Sequence, residues 1–327
     1  PILYHRPLVL SGSGGDCSES GVDFVGGAGE LDMKDALEVQ DLSYTYEDGT
    51  RALDAISLRA RAGQITGILG GNGAGKSTLF LNLNGVLTPQ SGKVLLDGRE
   101  VRYRRQDLPQ LRRQVGIVFQ DPDDQLFCAD VYQDISFGAV NLGLPPQEVR
   151  RRVEEAMAWT GISALREKPT HALSYGQKKR VAIAGVLVME PEVMILDEPT
   201  AGLDPQGVSD ILRLLYQLRE RLGMTLLLAT HDMDLVPLCC DQIYLLSSGR
   251  IVCGGTPETV FSQPEILREN HLRLPRIAHL MEILHDQDGV EVCRSAATIS
   301  AARREILHLL RQTETAEAAA VKQDRMV

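Results

Sequence analysis

Several things are scarce in this sequence, and each scarcity narrows the choices. No stretch stays apolar for long. The longest run, VAIAGVLVM at 181–189, is broken by Gly185 and falls far short of the ~20 residues a membrane span needs. The first ten residues, PILYHRPLVL, show no basic segment leading into an apolar one of signal-peptide length. The six cysteines, at 17, 128, 239, 240, 253 and 293, form no CxxC pair, which argues against a zinc site and a disulfide framework. Positive charge is short as well. Lys and Arg number 34 against 44 Asp and Glu, a net charge of −10, and that balance argues against holding nucleic acid through bulk charge. There is no internal repeat and no long heptad run. The expectation is a cytosolic protein that meets a membrane only through a partner and has no nucleic-acid partner.

What is present suits a globular α/β chain. The 327 residues allow about two domains, or one large domain with extensions. Residues 1–35 are rich in Gly and Ser and are expected to be flexible. From residue 37, LEVQDLSYTY alternates like a strand and ends in the turn signal EDGT, and 52–60 reads as its return strand. Short apolar runs at 65–69, 93–96, 115–119, 193–196, 225–230, 243–247 and 250–253 read as further strands. Helices are expected at 76–83, across 130–189 and near 206–221. Strands alternating with helices imply a parallel sheet covered on both faces. The helical stretch at about 121–190 reads as an inserted subdomain, and 276–327 as an amphipathic C-terminal extension.

Gly70-Gly71-Asn72-Gly73-Ala74-Gly75-Lys76-Ser77 fits G-x-x-x-x-G-K-[ST] at every fixed position. The expected strand precedes it and the expected helix follows. Glycine lets the backbone wrap closely around anionic oxygens, and successive N–H groups at a helix N-terminus form an anion nest. Lys76 would reach the β- and γ-phosphates, and the Ser77 hydroxyl would bind Mg²⁺. The run VMILDE at 193–198 supplies the second half of such a site. Asp197, at the end of a buried strand, suits Mg²⁺. Glu198 is placed to orient or deprotonate an attacking water.

Further words resemble the ATP-binding cassette (ABC) ATPases. LSYGQ at 173–177 is similar to the family signature LSGGQ, with Tyr at its third position. Gln120 matches the Q-loop glutamine, AGLD at 201–204 the D-loop, His231 in LATHD the switch histidine, and Tyr46 the aromatic that stacks on adenine. Tyr44 competes with Tyr46, since residues two apart share a strand face; the motif match favours Tyr46. The likeness runs from about 37 to 255. It implies a P-loop NTPase of ABC type: a mostly parallel sheet core with an antiparallel β subdomain and an α-helical subdomain, one ATPase domain over 36–275. It also implies roles. Glu198, His231, Gln120 and Lys76 would be catalytic. Tyr46, Asn72, Gly73, Ala74, Gly75, Lys76, Ser77, Thr78, Ser174, Gly176, Gln177 and Asp204 would hold ATP, and Ser77, Gln120 and Asp197 would hold Mg²⁺. Ser174 alone reads first as a helix N-cap. One phosphate loop and one signature per chain imply that a second ATPase subunit, identical or paralogous, completes each site.

FQDPDDQLF at 119–127, FG at 137–138 and NLGL at 141–144 resemble the energy-coupling-factor branch, and LNLNG at 81–85 and LRLP at 272–275 its cobalt-transport members. This implies a peripheral ATPase at the cytoplasmic face of the membrane. Its partners would be an integral membrane coupling subunit and a substrate-capture subunit, importing cobalt or nickel; vitamin import is the alternative. Phe127 either lines the docking groove or packs in the core. A soluble cassette working on nucleic acid or ribosomes would carry two cassettes or a coiled coil, and neither is present. An inactive regulatory cassette fits poorly with intact Lys76, Asp197, Glu198 and His231. His271, His279 and His285 lie eight and six apart, not at the i, i+4 spacing of a helical metal pair, and adjacent Cys239 and Cys240 do not readily chelate one ion. Mg²⁺ is the one metal assigned.

Overall fold

The structure, a computed structural model, describes residues 34–324; the flexibility expected of residues 1–33 lies outside them. Strand β1 (Asp35–Thr45) and β2 (Arg51–Arg61) form the expected hairpin, and β3 (Ile65–Leu69) runs into the phosphate loop and α1 (Lys76–Leu83). Next come β4 (Ser91–Leu96), β5 (Arg99–Glu100), α2 (Leu108–Gln114) and β6 (Val115–Val118). Three helices, α3 (Val131–Asn141), α4 (Pro146–Thr160) and α5 (Tyr175–Leu187), separate β6 from β7 (Val193–Asp197). The chain continues through α6 (Pro205–Leu222), β8 (Thr225–Thr230), α7 (Val236–Cys239), β9 (Gln242–Ser247) and β10 (Arg250–Gly255). It then forms α8 (Pro257–Phe261), α9 (Pro264–Glu269), α10 (Arg276–Asp286) and α11 (Ile299–Asp324).

Six strands make the central sheet in the order β10-β9-β3-β8-β7-β6. All neighbours pair parallel except β10 with β9. The buried parallel strands are mostly apolar, with Thr66, Asp197, Thr225 and Thr230 as buried polar exceptions, and successive side chains alternate between two faces. Leu226 and Leu228 of β8 join one core with α3, α4, α5 and α6. Leu227 and Ala229 join a second core with α1 and the antiparallel sheet β2-β1-β4-β5. The sheet is thus covered on both faces, as expected, and one cover is helical. On the other, α1 shares the cover with β-structure, because the alternating hairpin strands have an apolar face of their own to bury.

Helix α4 shows the local logic of the helical layer. Val149, Val153, Ala156, Met157 and Thr160 are its buried positions, at helical spacing. Gly161 ends it at φ +69°, in the left-handed region that glycine enters cheaply.

Beyond residue 275 the chain packs against the domain. Ala278 of α10 is part of the first core, while Met281, Val292, Ala296 and Ala302 form a small core with α11. Glu282, nearly buried, accepts from Arg268 at 2.7 and 2.9 Å and pairs with His279 Nδ1 at 3.1 Å.

Candidate active site

The parallel register sets the site. Leu69 ends β3 opposite Thr230 of β8, and Asp197 ends β7 opposite Ala229. Three adjacent strands thus release their chains at one edge of the sheet, the usual ligand edge of an open α/β fold. The phosphate loop leaves β3 there, Asp197 and Glu198 leave β7, and His231 leaves β8.

Close packing fixes the loop's ends and leaves its middle clear. A methyl group on Gly70 would lie 2.3 Å from Leu246 O, and one on Gly75 2.6 Å from Ala52 O. Gly75 also sits at φ +108° as the residue before α1. At Gly71 and Gly73 a methyl group would meet nothing within 4 Å. Asn72 and Gly73 are exposed, whereas Ala74 is buried. Lys76 Nζ donates to Gly70 O at 2.8 Å and Gly71 O at 3.0 Å, so the ammonium is drawn back to the start of its own loop. Ser77 Oγ donates to Asp197 Oδ2 at 2.7 Å. A hydroxyl and a carboxylate side by side are the hard oxygen donors that suit Mg²⁺.

Glu198 is nearly buried, at φ +47°, a backbone region costing a non-glycine residue about 1–2 kcal/mol. Main-chain contacts hold it: its N–H donates to Ala229 O at 3.1 Å, and its carbonyl accepts from Ala201 N at 3.1 Å and Lys179 Nζ at 3.0 Å. The side chain meets exposed His231, with Oε1 at 2.8 Å from Nδ1.

Tyr46 lies just past the end of β1. Its hydroxyl is 2.9 Å from Thr78 Oγ1 on α1, and its ring meets Tyr44 edge-on at 5.0 Å. Thr78 itself is buried. The Q-loop is fixed through its main chain: Gln120 O accepts from Lys179 Nζ at 2.7 Å and Tyr175 OH at 3.4 Å. Among the described residues, the Gln120 side chain makes no hydrogen bond to Ser77 or Asp197.

Ser174 is the N-cap of α5, in a reciprocal capping box. Gln177 N–H donates to Ser174 Oγ at 3.4 Å, and Ser174 N–H donates to Gln177 Oε1 at 3.1 Å. Asp204 caps α6, accepting from Gly207 N–H at 2.6 Å. Gly176 follows within the first turn of α5. Ser174, Gly176, Gln177 and Asp204 thus serve their own helices in this chain, and none of them bonds to residues 70–78 among the described residues.

Two contributors escape motif reading. Tyr175, where the signature departs from LSGGQ, reaches the Q-loop carbonyl, and its ring lies 3.0 Å from where a methyl group on Gly202 would stand. Lys179 is fully buried, and burial pulls its ammonium down to about 8, with Asp121, Glu198 and Asp197 opposing that shift. Its signal was faint: it shares one face of α5 with buried Ala182, Ile183 and Val186.

A family profile described as ABC transporter matches residues 53–201. The chain is 56% identical over 270 residues, 83% of its length and 95% of the relative's, to the energy-coupling factor transporter ATP-binding protein EcfA3 of Clostridium perfringens. It is 49% identical to EcfA of Methanocaldococcus jannaschii over 84% of its length and 98% of the relative's. This chain belongs to the ABC ATPases, in the energy-coupling-factor branch. The structure of cbiO1 from Clostridium perfringens, part of the ABC transporter complex cbiONQ, superposes with a TM-score of 0.67 at 57% identity, over 76% of this chain and all of that one. A dimeric cassette bound to ADP and Pi superposes with a TM-score of 0.62 at 25% identity, over 67% of this chain and 98% of that one. The cassette is accordingly an ATP-binding ATPase of a transporter. No helix of its described residues is long and apolar enough to cross a membrane.

Proposed function

We propose that this cassette drives import of cobalt or nickel ions, working as a dimer with a second cassette at the cytoplasmic face of the membrane. The dimer sits under an integral membrane coupling subunit, with a separate subunit capturing the substrate. The observation that carries the motor reading is the meeting of two pairs at one sheet edge: Ser77 with Asp197, and Glu198 with His231.

The chemistry follows from those pairs. Tyr46 stacks on adenine, and the N–H groups from Asn72 to Thr78 surround the phosphates with Lys76. Ser77, Asp197 and Gln120 would hold Mg²⁺, which would supply neutralisation of the phosphate charge. Glu198 takes a proton from water as the water oxygen bonds to the γ-phosphorus and the bond to the bridging oxygen of ADP breaks. His231 keeps the Glu198 carboxylate aimed. Ser174, Gly176 and Gln177 of one subunit, with Asp204, close on the ATP held by the other. Binding energy for ATP across the two subunits favours the closed dimer, and hydrolysis releases it.

Phe127 and Phe137 support the docking arm of this reading. They are exposed and stack edge-on at 4.7 Å, beside the Q-loop in sequence. The metal-ion assignment draws on the LNLNG and LRLP words and on likeness to a cassette from cbiONQ. Those words are scaffold: Asn82 donates to Thr78 O, Asn84 to Val115 O, and Leu274 is buried. The ion itself is therefore handled by other subunits. The energy-coupling-factor names of the relatives specify no substrate, and vitamin import is the alternative reading.

The test is reconstitution with the membrane subunits and isotope uptake. Cobalt or nickel uptake that stops with Glu198→Gln, while the variant traps an ATP-bound dimer, is the expected result. Vitamin uptake without ion uptake would replace the substrate and keep the motor; an undiminished hydrolysis rate would remove Glu198 from the base role.

A further inference from the structure

Among the described residues, Lys179 is the one charged side chain at 0% exposure. An ammonium kept from water is costly unless its donors are used. Two of its three are used on main-chain carbonyls from separate loops, Gln120 O at 2.7 Å and Glu198 O at 3.0 Å. Neither partner is a carboxylate, so the contact is no ordinary buried ion pair. The third neighbour is the Tyr175 ring, whose centroid lies 5.6 Å from Nζ, and whose hydroxyl reaches the same Gln120 carbonyl.

The position of these carbonyls matters. Glu198 is the residue at φ +47°, and its carbonyl orientation is set by that unfavourable turn. A donor on that carbonyl holds the turn from behind and leaves the carboxylate free for His231. Gln120 begins the loop that leads to the exposed Phe127. Lys179 stems from the second turn of α5, whose first turn carries the signature. One buried side chain therefore joins the Q-loop, the Glu198 turn and the signature helix.

We infer that Lys179 is a positioning residue for hydrolysis, holding the Glu198 turn in its catalytic geometry and tying it to the Q-loop. The inference rests on Glu198 being the base.

A double-mutant cycle on the full chain tests it. Lys179→Met keeps the length and apolar stem and removes every donor. Expected is at least a tenfold loss in kcat with the KM for ATP within twofold of wild type, since ground-state binding is untouched. In a Glu198→Gln background, with residual hydrolysis followed by single turnover, Lys179→Met is expected to cost less than twofold, because there is no base left to aim. Equal losses in both backgrounds, a raised KM, or no loss in the wild-type background would each overturn the inference. Should Lys179→Met fail to fold, Lys179→Gln, whose amide still donates to one carbonyl, carries the same cycle with a smaller expected loss. A Glu198→Gln variant that hydrolyses at the wild-type rate removes the base assignment and this inference together; a dead Glu198→Gln beside a fully active Lys179→Met removes this inference alone.

Discussion

His231 Nδ1 and Glu198 Oε1 meet at 2.8 Å across the ends of two neighbouring parallel strands. The register explains the distance. Asp197 pairs with Ala229, so Glu198 emerges one residue past its strand, and His231 emerges just past Thr230 on the next. An imidazole on a nearly buried carboxylate fixes where the free carboxylate oxygen points. His231→Ala is expected to lower kcat about 10- to 100-fold, less than the ~10²–10⁴-fold that a positioned acid or base itself supplies because His231 only aims the base, with little change in the KM for ATP. His231→Gln, which still offers a donor, should lose less. Steady-state hydrolysis with saturating Mg²⁺ separates the two.

Tyr46 and Tyr44 make a second, independent claim. Only the Tyr46 hydroxyl reaches Thr78, and Tyr44 packs partly into the second core. Tyr46→Ala is expected to weaken nucleotide binding several-fold, in line with the roughly 0.5–1.5 kcal/mol of an aromatic stack. Tyr46→Phe should bind nearly as well as wild type, and Tyr44→Phe should be silent. Titration with a fluorescent ATP analogue reads all three. Equal weakening by Tyr44→Ala and Tyr46→Ala would move the adenine platform to the pair as a whole.

How much of this could be read beforehand depended on range. Strands β3 and β8 were visible to the residue, because a parallel strand buried on both faces is a plain apolar run ended by a loop. The phosphate loop, the acidic pair and the capping serine were local words with local causes. Helix α2 is not legible in the sequence, since LPQLRRQ buries only Leu111 and gives no period to detect. The two-residue β5 carries no pattern at all. The C-terminal extension was legible as amphipathic, but its docking depends on Arg268 meeting Glu282 from another helix. Lys179 was hidden for the same reason: both of its partners are carbonyls, which every residue has, and they lie 59 and 19 positions away. Phe127 reads from sequence as either core or surface, and it is 65% exposed.

That exposure makes Phe127 a clean test of docking. It touches Phe137, itself exposed, so truncation leaves no cavity in a core. Phe127→Ala is expected to change thermal stability by less than about 0.5 kcal/mol, as surface substitutions do, and to leave hydrolysis by the isolated cassette intact. Pull-down with the membrane coupling subunit should fall sharply. Normal assembly by both Phe127→Ala and Phe127→Asp would place docking elsewhere.

Glu282 gives the C-terminal segment a pH signature. Burial pushes its carboxyl up, but His279, Arg268 and Arg294 outweigh that and hold it below the usual 4.5. A carboxylate with a lowered native value stabilises the fold fully above about pH 4.5, its unfolded value. That stability is lost as pH falls through the lower native value, because the unfolded chain takes up the proton first. At pH 7, Glu282→Gln is expected to destabilise the protein by about 1–3 kcal/mol, the cost of leaving buried polar partners unmatched. The gap from wild type should close as pH drops below 4.5. Hydrogen exchange on α10 should locate the loss there while the β3 and β8 amides stay protected. A gap that stayed constant with pH would mean that Glu282 acts through packing and not through its charge.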